Sequence, residues 1–197
     1  MKRPKIYLKL ITAVLMMFCV SSHYGQEGIE DISPHDFSGK SMVIALGNDH
    51  AGFSMKDDVL NILEELECTV IDHGCHSLDP VDFPDIARKV CNSVRSGEAH
   101  RGIMVCGTGV GASIAANKFP GIRAATIHDV HCAHQGVEHD NMNVLTMGAQ
   151  IIGPWLAKDI IKAFIEAEFS REEHFQRRVR KLHDLELEAA RELQGEL

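Results

Sequence analysis

The segment CGTGVG, residues 106–111, closes an apolar run and carries glycine at every second position. Glycine tolerates positive φ and lets backbone N–H groups approach an anion closely. The helix-like residues that follow, 112–118, add the free amides and positive dipole end of a helix N-terminus. Cys106 stands at the mouth of this loop. A thiol beside a helix N-terminus has a lowered pKa and can act as nucleophile or base, and Thr108 places a hydroxyl next to it. The loop matches neither the phosphate loop ending in Lys-Ser/Thr nor the dinucleotide fingerprint. The plainer alternative is a tight strand-to-helix turn with no chemistry.

Three further clusters carry reactive side chains. Asp49 and His50 are adjacent in GNDHAGF; their side chains diverge, so they form no triad by themselves. They read equally as a helix cap with a surface histidine. The stretch HDVHCAHQGVEHDNMN holds His128, His131, His134, His139 and Cys132. His131, Gln135 and His139 share one helical face, which would suit a transition metal, but the spacing fits no zinc signature. Polar surface and active-site histidines are the preferred reading. Near the end, EEHFQRRVRKLH groups Arg177, Arg178, Arg180 and Lys181. These either pair with Glu172, Glu173 and Asp184 along a helix or supply an arginine to a phosphate.

The elements that must position these groups alternate. Short apolar runs at residues 42–47, 68–74, 101–107, 122–128 and 143–148 read as strands. The stretches 53–66, 83–97, 112–119, 129–140 and 154–169 have helical spacing, and Pro154 falls near a first turn. Residues 171–197 read as a last, mostly polar helix. The expected fold is α/β: a three-layer α/β/α Rossmann-like domain with a five-stranded parallel sheet and a C-terminal helical extension. Ligands bind beyond the carboxyl ends of such strands, where GNDHAG, DHGCH, CGTGVG, HDVH and MGAQ collect.

The 197 residues, 45% hydrophobic and 24% charged, suit one globular domain with a real core. A net charge of −8 excludes a broad basic face, so nucleic acid is not an expected partner. None of the six cysteines forms C-x-x-C, and reduced thiols are expected. Residues 1–41 contain a basic start and the apolar run LITAVLMMFCVSS, which has the form of a secretory signal and is short for a membrane span. The alternative is an over-called start or disordered extension, with the domain beginning at Met42. A cytoplasmic location without membrane contact is expected for residues 42–197, export being the alternative.

Together, GNDHAGFSMKD, VIDHG, VDFPDIA, CGTGVGASIAANKFPGIRAA and HDNMNVLTMGAQIIG resemble the type B ribose-5-phosphate isomerases and their relatives, the galactose-6-phosphate isomerase subunits. The resemblance spans residues 42–185. It implies an aldose–ketose isomerase of the pentose phosphate pathway, interconverting ribose 5-phosphate and ribulose 5-phosphate through an enediolate with neither metal nor cofactor. By the same resemblance, Cys106 is the base between C2 and C1, its pKa pulled toward neutrality by the helix end. Thr108 and the amides of Gly107, Gly109 and Gly111, with Val110 beside them, stabilise the enediolate oxygens. Asp49 and His139 bind hydroxyls and assist ring opening, and His50 and Arg178 hold the phosphate. Residues 42–170 form the isomerase domain and residues 171–197 a helix packing on a partner subunit. The assembly is a homodimer or homotetramer with shared active sites, so Arg178 serves the partner.

The chain departs from that family at several positions. Asp140 replaces Asn after His139, Phe83 replaces Tyr, Gln150 replaces Arg, and His174 stands where an arginine is usual; a one-residue shift in register would make Arg177 the match instead of Arg178. Each lost charge-assisted contact to phosphate would weaken binding by about 1.5–3 kcal/mol. Two alternatives therefore stand beside the leading one: the same chemistry on another sugar or sugar phosphate, and a non-catalytic sugar- or metal-binding relative.

Overall fold

The apolar runs form the strands and the amphipathic runs between them form the helices. The structure, a computed structural model, describes residues 41–195; apart from Ser41, the expected leader lies outside the described residues. In chain order it has β1 (Val43–Asn48), a 3-10 turn (Phe53–Met55), α1 (Lys56–Glu65), β2 (Thr69–Asp72), α2 (Phe83–Arg95), β3 (Arg101–Cys106) and α3 (Val110–Ala116). There follow β4 (Ala124–Thr126), α4 (Val130–Asp140), β5 (Val144–Gly148), α5 (Pro154–Glu166) and α6 (Glu173–Gln194). All strand pairs are parallel, in the order β2-β1-β3-β5-β4. No helix among the described residues is long and apolar enough to cross a membrane.

Alternation along the strands sorts side chains onto two faces. Ile44, Leu46, Ile103, Val105, Leu145 and Met147 pack with residues of α1, α4 and α5. Ala45 and Met104 face the other way, against Ile86, Ala87 and Val90 of α2 and Ala112 and Ala115 of α3. Covered on both faces, the central strands are buried almost throughout, which explains why they read as continuous apolar runs.

Local rules fix the helix ends. Asp129 caps α4, its Oδ1 accepting the Cys132 N–H at 2.8 Å. Gly153 and Pro154 open α5. Buried Arg101 at the start of β3 donates to the carbonyls of Phe164 and Ala167, tying down the end of α5 where a cation suits the helix dipole. Burial pulls its pKa down to about 10, which leaves it charged at neutral pH.

The last helix folds against its own chain. Val179 is buried, and Glu186 accepts the Gly121 N–H. Leu182, Leu185, Leu187 and Leu193 of α6 remain exposed.

Candidate active site

Strand β1 lies between β2 and β3: the chain runs from β1 out to β2, then crosses back past β1 to β3. The crevice beyond β1 and β3 is therefore the switch point where open α/β sheets bind ligands. The ladder pairs Asn48 with Val105, so Asp49 and Cys106 leave the sheet side by side. Gly52 makes this approach possible: a Cβ there would lie 2.1 Å from the Val105 carbonyl oxygen.

Asp49, almost fully buried, accepts the Gly52 N–H at 2.8 Å and the Cys106 thiol. His50 turns its Nδ1 to the Val81 N–H at 3.3 Å, so in the neutral ring Nε2 carries the proton.

Behind Cys106 the loop is held by β5. The Ala149 N–H donates to the Cys106 carbonyl at 2.9 Å and the Gln150 N–H to the Gly107 carbonyl at 3.1 Å. Across a planar peptide, N–H and C=O point in opposite directions, so the amides following these carbonyls face the cleft.

One sequence expectation is corrected here: the Cys106 pKa is not lowered. Burial raises it, and the hydrogen bond and negative charge of Asp49 add to the rise; the Gly107 and Gly109 amides only partly offset them. At rest the site is a thiol leaning on a carboxylate.

The rim holds two of the departures. The Phe83 ring lies over Gly111, its Cζ 3.0 Å from where a side chain there would begin, and forms an apolar wall. Gln150 Oε1 lies 3.4 Å from the corresponding point on Gly107. Asp49, His50, Cys106, Gly107, Thr108, Gly109, Val110, Gly111 and Gln150 are thus brought to one edge of the sheet.

His139, Asp140, His174 and Arg178 are not. Helix α4 starts at the carboxyl edge, after β4, and runs back for 11 residues, about 16 Å. His139 and Asp140 therefore lie at the amino edge, away from Cys106 of the same chain. There the His139 ring stacks on Phe175 at 4.0 Å and 16°. The His174 ring is 3.9 Å from Phe175, and the Arg178 guanidinium lies 5.7 Å from the centre of that ring. Of the two arginines the sequence left open, Arg178 is the one over Phe175. Phe175 itself went unremarked in the sequence; its only signal was an aromatic residue between His174 and the basic run. The histidines of α4 do not gather: among the described residues no group of three or more His, Cys, Asp or Glu side chains could hold a metal. Cys68, Cys75, Cys91, Cys106 and Cys132 are free thiols.

Comparison with known proteins adds the following. The model of the ribose/galactose isomerase family matches residues 44–182. Ribose-5-phosphate isomerase B of Escherichia coli is 42% identical over 134 residues, covering 68% of this chain and 90% of that protein. D-erythrulose-4-phosphate isomerase of Pectobacterium atrosepticum is 41% identical over 130 residues, covering 64% and 84%. The solved structure of ribose-5-phosphate isomerase B from Clostridium thermocellum aligns with a TM-score of 0.73 at 41% identity, covering 75% of this chain and 99% of that one.

Proposed function

The chain belongs to the ribose/galactose isomerase family and is a sugar-phosphate isomerase; from that premise we propose that it interconverts ribose 5-phosphate and ribulose 5-phosphate, with Cys106 as the base. One observation carries the reading: a half-buried thiol at the switch-point crevice, set beside the buried Asp49 carboxylate and leading into the glycine loop. With the opened sugar placed so that C2 and C1 face Cys106, the thiol first loses its proton to solvent and the thiolate then takes the proton from C2. The resulting enediolate oxygens face the start of α3 and the Thr108 hydroxyl, which relays the proton of the C2 hydroxyl to O1, and the same sulfur returns its proton to C1, leaving the carbonyl at C2. His50 Nε2–H is directed to the phosphate end.

Of the residues the resemblance implies at that end, His139, His174 and Arg178 lie at the other edge of the sheet. We assign them to a second copy of the chain, whose α4–α6 junction covers the crevice. The exposed apolar rim of Val110, Ile114, Ile151 and Trp155 supports this assembly.

The test is an isomerase assay on the purified protein with ribose 5-phosphate. Cys106→Ala is expected to lower turnover about 10³-fold with an unchanged circular dichroism spectrum; an active alanine variant would remove Cys106 as the base. A second reading keeps the chemistry and changes the sugar. It is supported by the relative named for erythrulose 4-phosphate and by uncharged Gln150 and apolar Phe83 at the rim. A panel of tetrose, pentose and hexose phosphates separates the two readings by kcat/KM.

A further inference from the structure

Helix α3 begins without a side-chain cap. Its N-cap residue is Gly109, at φ +82°, which offers no side chain of its own, and the Val110 N–H of the first turn donates to the neighbouring Thr108 Oγ1 at 3.4 Å. A Ser, Thr or Asp at position 109 would satisfy one of the first-turn amides and take it away from any ligand. The loop is anchored instead from behind, through the Gly109 carbonyl. That oxygen accepts the Ser113 N–H at 3.0 Å and lies 3.0 Å from Thr146 Oγ1 and 3.2 Å from Thr126 Oγ1. The two threonines are register partners on β4 and β5, and their hydroxyls are 3.1 Å apart. Thr146 is fully buried in a strand whose other residues are apolar or glycine. The shortest contacts give Thr146 donating to Gly109 O and Thr126 donating to Thr146 Oγ1, which fills both lone pairs of the carbonyl.

We propose that Thr146 and Thr126 are positioning residues for the isomerase: they clamp the Gly109 carbonyl, so hold the Val110 N–H on Thr108 Oγ1, and thereby aim the Thr108 hydroxyl at the oxygen that becomes charged. The geometry is direct. With the carbonyl turned toward β4 and β5, the Val110 N–H must point the opposite way, into the crevice. There it sits 3.4 Å from Thr108 Oγ1. Position 109 admits only glycine, because at φ +82° a Cβ on it would meet the Met147 carbonyl carbon at 3.0 Å and Thr126 Cγ2 at 3.1 Å. The Gly109 amide also favours the Cys106 thiolate, so the hydroxyl pair, with Thr146 buried and Thr126 partly so, serves both the oxyanion donor and the base. This inference rests on the isomerase reading given above.

The experiment compares Thr146→Val, which keeps shape and loses the hydroxyl, with Thr146→Ser, which keeps the hydroxyl and loses a methyl. Thr146→Val is expected to lower kcat about 10-fold or more while KM changes less than about 3-fold, as for a donor that acts on the transition state. Thr146→Ser should stay close to the parent kcat. A second readout needs no substrate: the pH midpoint for alkylation of Cys106, followed on its own peptide by mass, should rise in Thr146→Val and not in Thr146→Ser. Asp49, the charged group facing the thiol, is the same in all variants. A valine variant with parent kcat and parent midpoint, or a serine variant as impaired as valine, overturns the clamp. If the parent protein isomerises no sugar phosphate while the midpoint still moves with the hydroxyl, the clamp survives and the isomerase reading falls.

Discussion

Cys106 is set by its neighbours more than by its helix. The seven-residue α3 and the two loop amides favour the thiolate, yet burial and Asp49 outweigh them and leave the thiol pKa raised. If Cys106 is the base in the free enzyme, kcat/KM must rise as pH increases through that raised value, so the acid limb lies on the alkaline side. Removing the carboxylate charge removes one cause of the rise. Asp49→Asn is therefore expected to move the limb of the kcat/KM profile to lower pH, whatever it does to the plateau. A limb that stays in place would show that Asp49 does not govern the thiol. Asn can still accept the Gly52 N–H, so the turn is kept.

At the scale of elements, the crevice depends on how closely the turn after β1 approaches the end of β3. Gly52 has no room for any side chain, because the atoms in the way, the Val105 carbonyl and the Cys106 amide nitrogen, are backbone. Gly52→Ala must push the turn off β3 and part Asp49 from Cys106. It is expected to destabilise the fold by about 3 kcal/mol in urea titration and to lower kcat with it. The neighbouring hydrogen bond from the Asp49 N–H to the Val105 carbonyl, 3.2 Å, is the first that must lengthen. Gly97, by contrast, has φ +75° with nothing within 4 Å of an added Cβ, so alanine there meets backbone strain alone.

For the whole molecule, the decisive point is that the residues expected to form one site lie at opposite edges of the sheet. Asp49 and Cys106 lie at the carboxyl edge, and the cluster of His139, His174 and Arg178 around Phe175 lies at the amino edge. If a second copy joins them, Cys106→Ala and Arg178→Ala damage different chains of each site. Mixing the two impaired proteins under conditions that exchange subunits should restore part of the parent activity, since some assemblies then hold one undamaged site. No recovery after confirmed exchange would place both residues of a site on one chain, against the arrangement proposed here.

Local chemistry was legible from the residues alone. The glycine loop, the paired Asp49 and His50 and the five strands in their order along the chain follow from rules spanning a few positions, and the sequence located them within a few residues. The fourth strand was expected over 122–128 and is only Ala124–Thr126, because the pairing of an edge strand is decided by its single neighbour. What depends on distant partners was not legible. The raised Cys106 pKa arises from burial and from a carboxylate 57 positions earlier in the numbering, Asp49. Thr126 and Thr146 looked like ordinary strand residues until the register set them behind Gly109. His139 and Cys106 looked like neighbours in one site until the direction of α4 placed them at opposite edges. The sequence by itself determined which chemical groups the protein has and the elements that carry them; only the tertiary structure decided which groups meet, because proximity, burial and charge coupling are set by packing between segments far apart in the chain.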